Sequence, residues 1–140
     1  MQQTQVRSSR IVGGEDSYPG EWPWMLSFEI YGSFYCGASL ISEKWAITAA
    51  HCVDSLTEIS ITAGITTQDD NSVFRERVLI AEPVIHPEYD DVSYDNDIAL
   101  LRLDSPVQFN QFVQPLCYES LEYRPGTLCY AAGWGRLSEY

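Results

Sequence analysis

Apolar and polar positions along this chain exchange places over short distances, with a period of two rather than 3.6. Glu58-Ile59-Ser60-Ile61-Thr62-Ala63 alternates and is closed by Gly64, the pattern of a strand. Met25-Leu26-Ser27-Phe28-Glu29-Ile30 is a mixed apolar run that stops at Tyr31-Gly32-Ser33. Residues 45–49 form an apolar run that predicts a strand covered on both faces. Residues 76–85 predict a longer strand, in which Pro83 marks an edge or a bulge because it cannot donate to a ladder. Residues 98–103 predict a further strand that begins beside an acid. No segment carries a convincing amphipathic helix, and residues 50–53 leave room for one helical turn. About six short strands separated by turns predict an all-β barrel.

Composition changes this picture little. The chain is 45% hydrophobic and 13% aromatic, with 9 Gly and 7 Pro: enough apolar material for a core and enough turn residues for many short strands. No apolar stretch approaches the length of a membrane span. Charge is more informative. Eight basic against 20 acidic residues leave a net charge of −12, which argues against nucleic acid or an anionic membrane as partner. It leaves cationic substrates open, although acidic loops facing water account for it as well. Residues 1–10 are polar and contain no apolar core of a secretory signal.

The candidate chemistry lies in two separated segments. Thr48-Ala49-Ala50-His51-Cys52 follows Trp45-Ala46-Ile47, and Asp95-Asn96-Asp97-Ile98-Ala99-Leu100-Leu101 opens the last predicted strand. A histidine can take the proton of a hydroxyl nucleophile, and an acid behind the ring can fix its tautomer and stabilise the imidazolium. Brought together, His51 and Asp97 would be two thirds of a nucleophile-activating triad. Asp95 would share a face with Asp97 on a strand and is kept as a surface acid. The other histidine, His86, sits among turn-like polar neighbours and reads as structural.

With Arg10-Ile11-Val12-Gly13-Gly14, Trp22-Pro23-Trp24, Tyr35-Cys36-Gly37-Ala38-Ser39-Leu40-Ile41 and Gly133-Trp134-Gly135, these segments resemble the amino-terminal part of the trypsin/chymotrypsin-like serine endopeptidase family. The resemblance implies a double β-barrel, with residues 1–10 the end of a prosegment and 11–140 an incomplete peptidase domain. Within it, residues 11–103 would form the first barrel, 104–127 the strap, and 128–140 the start of the second barrel. It also implies an endopeptidase zymogen activated by cleavage between Arg10 and Ile11, whose freed ammonium would order the oxyanion hole through one buried charge pair. The triad order would be His51, Asp97, then a serine in a Gly-Asp-Ser-Gly-Gly-Pro setting, which these 140 residues do not contain. Both ends are accordingly expected to be incomplete.

Further expectations follow from the same resemblance. Cys36 and Cys52 match the histidine-loop bridge, closing about 17 residues and worth on the order of 3 kcal/mol. Cys117 and Cys129 would find partners elsewhere, the former in a prosegment and the latter in the second barrel, and are not expected to bond to each other. Tyr94 matches the aromatic that shapes the secondary substrate subsite. Where some members bind calcium, this chain has Ile65 and Val73-Phe74-Arg75, and Asp69 and Asp70 alone are too few hard oxygen ligands; no metal and no cofactor are expected. The implied partners are protein or peptide substrates, an activating protease with basic preference, and protein protease inhibitors. The implied location is secreted and extracellular. Two other readings stay open: a catalytically inactive homologue that binds a partner, and a short secreted β-domain serving as a binding module.

Overall fold

The computed structural model describes residues 13–53, 58–120 and 122–135. Its elements are β1 (Met25–Ile30), β2 (Ser33–Leu40), β3 (Trp45–Thr48), a single 3-10 turn (Ala50–Cys52), β4 (Ile59–Ala63), β5 (Glu76–Ile85) and β6 (Ala99–Leu103). The six strands close into an antiparallel barrel in the order β1-β2-β3-β6-β5-β4. Closure leaves no free sheet edge, which suits strands this short. The single helical turn falls where residues 50–53 had room for one.

The core follows the strand period. Alternate residues point inward: Leu26 and Phe28 from β1, Ala38 and Leu40 from β2, Ile59, Ile61 and Ala63 from β4, and Ala99, Leu101 and Leu103 from β6. Val107 and Val113, from the segment after β6, close the barrel and are buried with them. That segment is held by backbone bonds from Val107 N–H to Glu43 O, Gln114 N–H to Pro23 O and Leu116 N–H to Leu40 O.

Two strands depart from their sequence pattern. The run at residues 45–49 predicts cover on both faces, yet in β3 only Ala46 and Thr48 are buried, while Trp45 and Ile47 are half-exposed. The alternating β4 is buried on both faces instead. Its polar residues Ser60 and Thr62 lie beside Ser27 and Glu29 of β1 in the register Ser27↔Thr62 and Glu29↔Ser60. Arg77 of β5 crosses this row, its Nε donating to Ser60 Oγ at 2.9 Å and standing 3.7 Å from Glu29 Oε2. Alternation reports chemical type along one strand; what covers the outer face is decided by other strands.

β2 is missing from the predicted set, because Cys36-Gly37-Ala38-Ser39 is too small and too mixed to alternate. Pro83 was expected at an edge or a bulge. The β5–β6 register shifts between Ile80 and Glu82, and β4 pairs with β5 only at Glu76–Leu79. Pro83 therefore sits beyond β4, where one side of β5 needs no donor. Residues 128–135, expected to open a second barrel, form no strand, since a strand exists only against a hydrogen-bonding neighbour. They lie along the first barrel instead. Tyr130 packs on Trp22, and Trp134 packs on Phe34 while donating its indole N–H to Thr66 O at 2.9 Å.

Gly64 ends β4 with φ +72°, and a Cβ there would run into the carbonyl oxygen of Phe74 and lie 2.8 Å from its carbon. Left-handed backbone costs alanine about 1 kcal/mol, and overpacking adds about 1–3. Gly64→Ala is expected to destabilise the protein by about 2–4 kcal/mol in a denaturant titration. A change below 0.5 kcal/mol would show that the turn re-forms freely.

Candidate active site

β3 and β6 pair antiparallel with Thr48 opposite Ala99. The carboxyl end of β3 therefore lies beside the amino end of β6. The chain leaving Thr48 makes the Ala50–Cys52 turn and presents His51; the chain entering at Ala99 presents Asp97. The two residues are 46 apart in sequence and meet at one rim. His51 Nδ1 is 2.7 Å from Asp97 Oδ2, and the His51 backbone N–H donates to Asp97 Oδ1 at 2.8 Å. Both carboxylate oxygens are thus engaged by one residue.

The Cys36–Cys52 bridge expected from the resemblance is present, with a Cα–Cα distance of 6.3 Å, well within the range a disulfide spans. It fastens the residue after His51 to β2. Cys117 and Cys129 are free and exposed, consistent with their not pairing with each other.

The acid was expected at the mouth of a strand beginning at Ile98. The strand, β6, begins one residue later, and Asp97 stands two residues before it, just after a turn. Tyr94 and Asn96 both take left-handed backbone, φ 59° and 55°, so Asp95 and Asp97 do not share a strand face. Side chains impose this turn. Asp90 accepts the N–H groups of Val92 and Ser93, and Asn96 donates its amide to Glu88 O at 3.0 Å. Non-glycine residues adopt this conformation at a cost, and the surroundings must over-determine it. Asn96 is a residue that the sequence reading passed over. The signal was there: asparagine is among the few residues that tolerate the left-handed region.

The electrostatics follow from these contacts. The His51 ring N–H lowers the pKa of Asp97, and the His51 backbone N–H lowers it further. An ionised carboxylate only accepts hydrogen bonds, so His51 Nδ1 must carry the proton. In the neutral ring Nε2 is then the basic atom. It lies 3.5 Å from Cys52 Sγ, a disulfide sulfur with no proton to offer. The His51 side chain is 48% exposed and Asp97 23%, so the ring is reachable from solvent while the acid sits behind it. Such a pair can draw a proton from a hydroxyl placed at Nε2 and hold the resulting imidazolium.

A pH dependence follows. The folded-state pKa of Asp97 lies below the unfolded carboxylate value of about 3.9. The stability this contact contributes is present above that value and is lost as pH falls through the depressed folded one. The stability gap between wild type and Asp97→Asn, followed by circular dichroism, is expected to narrow as pH drops below about 4. A gap independent of pH throughout the acid limb would rule this out.

Of the other sequence-predicted site residues, Tyr94 stands at the rim, exposed, its ring edge-to-face with His51 at a centroid distance of 6.0 Å. Arg10 and Ile11 lie outside the described residues. His86 accepts Glu88 N–H at Nδ1, a turn contact away from the pair. Asp70 spends its carboxylate on the N–H groups of Thr66 and Ser72, while Arg75 binds its carbonyl. Cys36, His51 and Cys52 cluster within ligand range of one another, but both sulfurs are committed to the disulfide and are not the thiolates a metal requires.

A closed antiparallel barrel with a histidine and an aspartate joined across neighbouring strand ends has the build of a serine-protease-like protein. The family model for trypsin matches residues 11–140. The chain belongs to the trypsin family, and its barrel corresponds to the first barrel of that fold. In general terms this membership carries a serine-protease-like function and protein substrates.

Proposed function

We propose that this chain belongs to a serine endopeptidase that hydrolyses protein peptide bonds through a Ser-His-Asp triad, with His51 the general base and then acid, and Asp97 the group that orients it. The serine would come from the family's second barrel, outside these 140 residues. Cleavage between Arg10 and Ile11 by a protease of basic preference would convert the zymogen. Tyr94 would border the substrate, protein protease inhibitors would compete at the same rim, and the protein would act outside the cell, where a bridge such as Cys36–Cys52 persists.

The observation that supports this reading most is the two-point grip of Asp97 on His51, at 2.7 and 2.8 Å. It sets the tautomer that leaves Nε2 free to accept a proton. A structural histidine has no need of that arrangement on an exposed rim.

The test uses a polypeptide carrying the complete family domain, cleaved after Arg10 and offered a fluorophosphonate, which labels only an activated serine. Labelling and peptide hydrolysis are expected, both depending on the cleavage. Residues 1–140 alone are expected to show neither. Absence of both from the cleaved domain would overturn the enzymatic reading in favour of an inactive binding homologue.

A further inference from the structure

The pairing of β2 with β3 is very short: Ser39↔Ile47 and Leu40↔Ala46, with no further pair on the side toward His51. The two strands part just where β3 runs on toward His51. One side chain spans the gap. Thr48, the last residue of β3, donates its hydroxyl to Gly37 O at 2.8 Å. Thr48 is only 6% exposed, so water competes poorly for this bond. Gly37 follows Cys36, whose sulfur is bridged to Cys52, and Thr48 itself pairs with Ala99, two residues from Asp97.

From this placement we infer that Thr48 is a positioning residue for the His51–Asp97 pair, a role that rests on the function proposed above. Its hydroxyl replaces the ladder bond that the diverging strands cannot make. With the disulfide it forms two struts, one on each side of His51, both footed on adjacent residues of β2. The disulfide fixes the residue after His51. The hydroxyl fixes the end of the strand before it. Without the second strut the turn could pivot about Cys52 and move the ring relative to Asp97, which is carried by the chain entering β6 rather than by β2. A base displaced by a fraction of an ångström loses rate without losing substrate affinity, because the cost falls on the proton-transfer geometry.

Thr48→Val keeps the shape and deletes the donor; Thr48→Ser keeps the donor and deletes a methyl. In the activated complete domain, Thr48→Val is expected to lower kcat on the order of 10-fold with KM within about 2-fold, and Thr48→Ser to stay within about 2-fold of wild type in both. Exchange of the His51 Nδ1 proton with water, followed by nuclear magnetic resonance, is expected to quicken in Thr48→Val alone. That second measurement does not need turnover. Wild-type kcat and exchange in Thr48→Val overturn the inference, as does a lower melting temperature with neither changed. Loss of rate in Thr48→Ser overturns it too, since packing rather than the hydroxyl would then matter, and this holds even if Thr48→Val does not fold. Failure of the function itself is read separately: His51→Ala would then match wild type in activity, while the exchange comparison would still decide the role of Thr48.

Discussion

His51→Ala, made in the activated complete domain, is expected to lower kcat by about 10⁴-fold or more, with KM changed much less. The substitution removes the base from a rim where the side chain is 48% exposed, so it opens no cavity in the core. The melting temperature is accordingly expected to stay close to wild type, and loss of activity cannot be ascribed to unfolding. The hydrogen bond from the ring Nδ1–H to Asp97 Oδ2 would be lost, but the backbone N–H of residue 51 would still hold Oδ1. A variant that keeps its fold and a kcat within 10-fold of wild type would remove His51 from the chemistry.

Asp97→Asn is expected to be nearly as damaging, about 10⁴-fold in kcat, for a different reason. The amide is almost isosteric, so the left-handed turn through Asn96 and the bond from His51 N–H to a side-chain oxygen can persist. What changes is the partner of the ring. The amide nitrogen would face Nδ1 and donate to it, driving the imidazole proton to Nε2. The base would then present a proton where it must present a lone pair, and no negative charge would stand behind the imidazolium. Crystallographic geometry close to wild type with kcat down by this factor is the expected result. An undiminished kcat would mean that Asp97 only tethers the loop. Together the two variants separate the identity of the base from its orientation.

Much of this was legible along the chain. Short apolar or alternating runs bounded by turn residues located five of the six strands, because a strand needs only a few residues of apolar or alternating pattern to reach the core. His51, Asp97 and the Cys36–Cys52 bridge were recognisable from local motifs and family resemblance. Local pattern could not report the pairing of β3 with β6, which sets Thr48 against Ala99 across some fifty residues of chain and so brings the base and the acid to one rim. That pairing follows from closure of the whole barrel. Burial of Ser60 and Thr62 on the outer face of β4 was equally out of reach, since it depends on Glu29 and Arg77 from the neighbouring strands. The left-handed turn at Tyr94 and Asn96 and the bond from Thr48 to Gly37 belong to the same class. The sequence determined which residue types are available for the chemistry and where five of the six strands run, because those depend on neighbours one or two positions away, whereas β2 and the stretch at 128–135 depended on which partners were at hand. Only the tertiary structure decided which residues meet and in which protonation state, because those depend on hydrogen bonds between segments that touch once the barrel has closed.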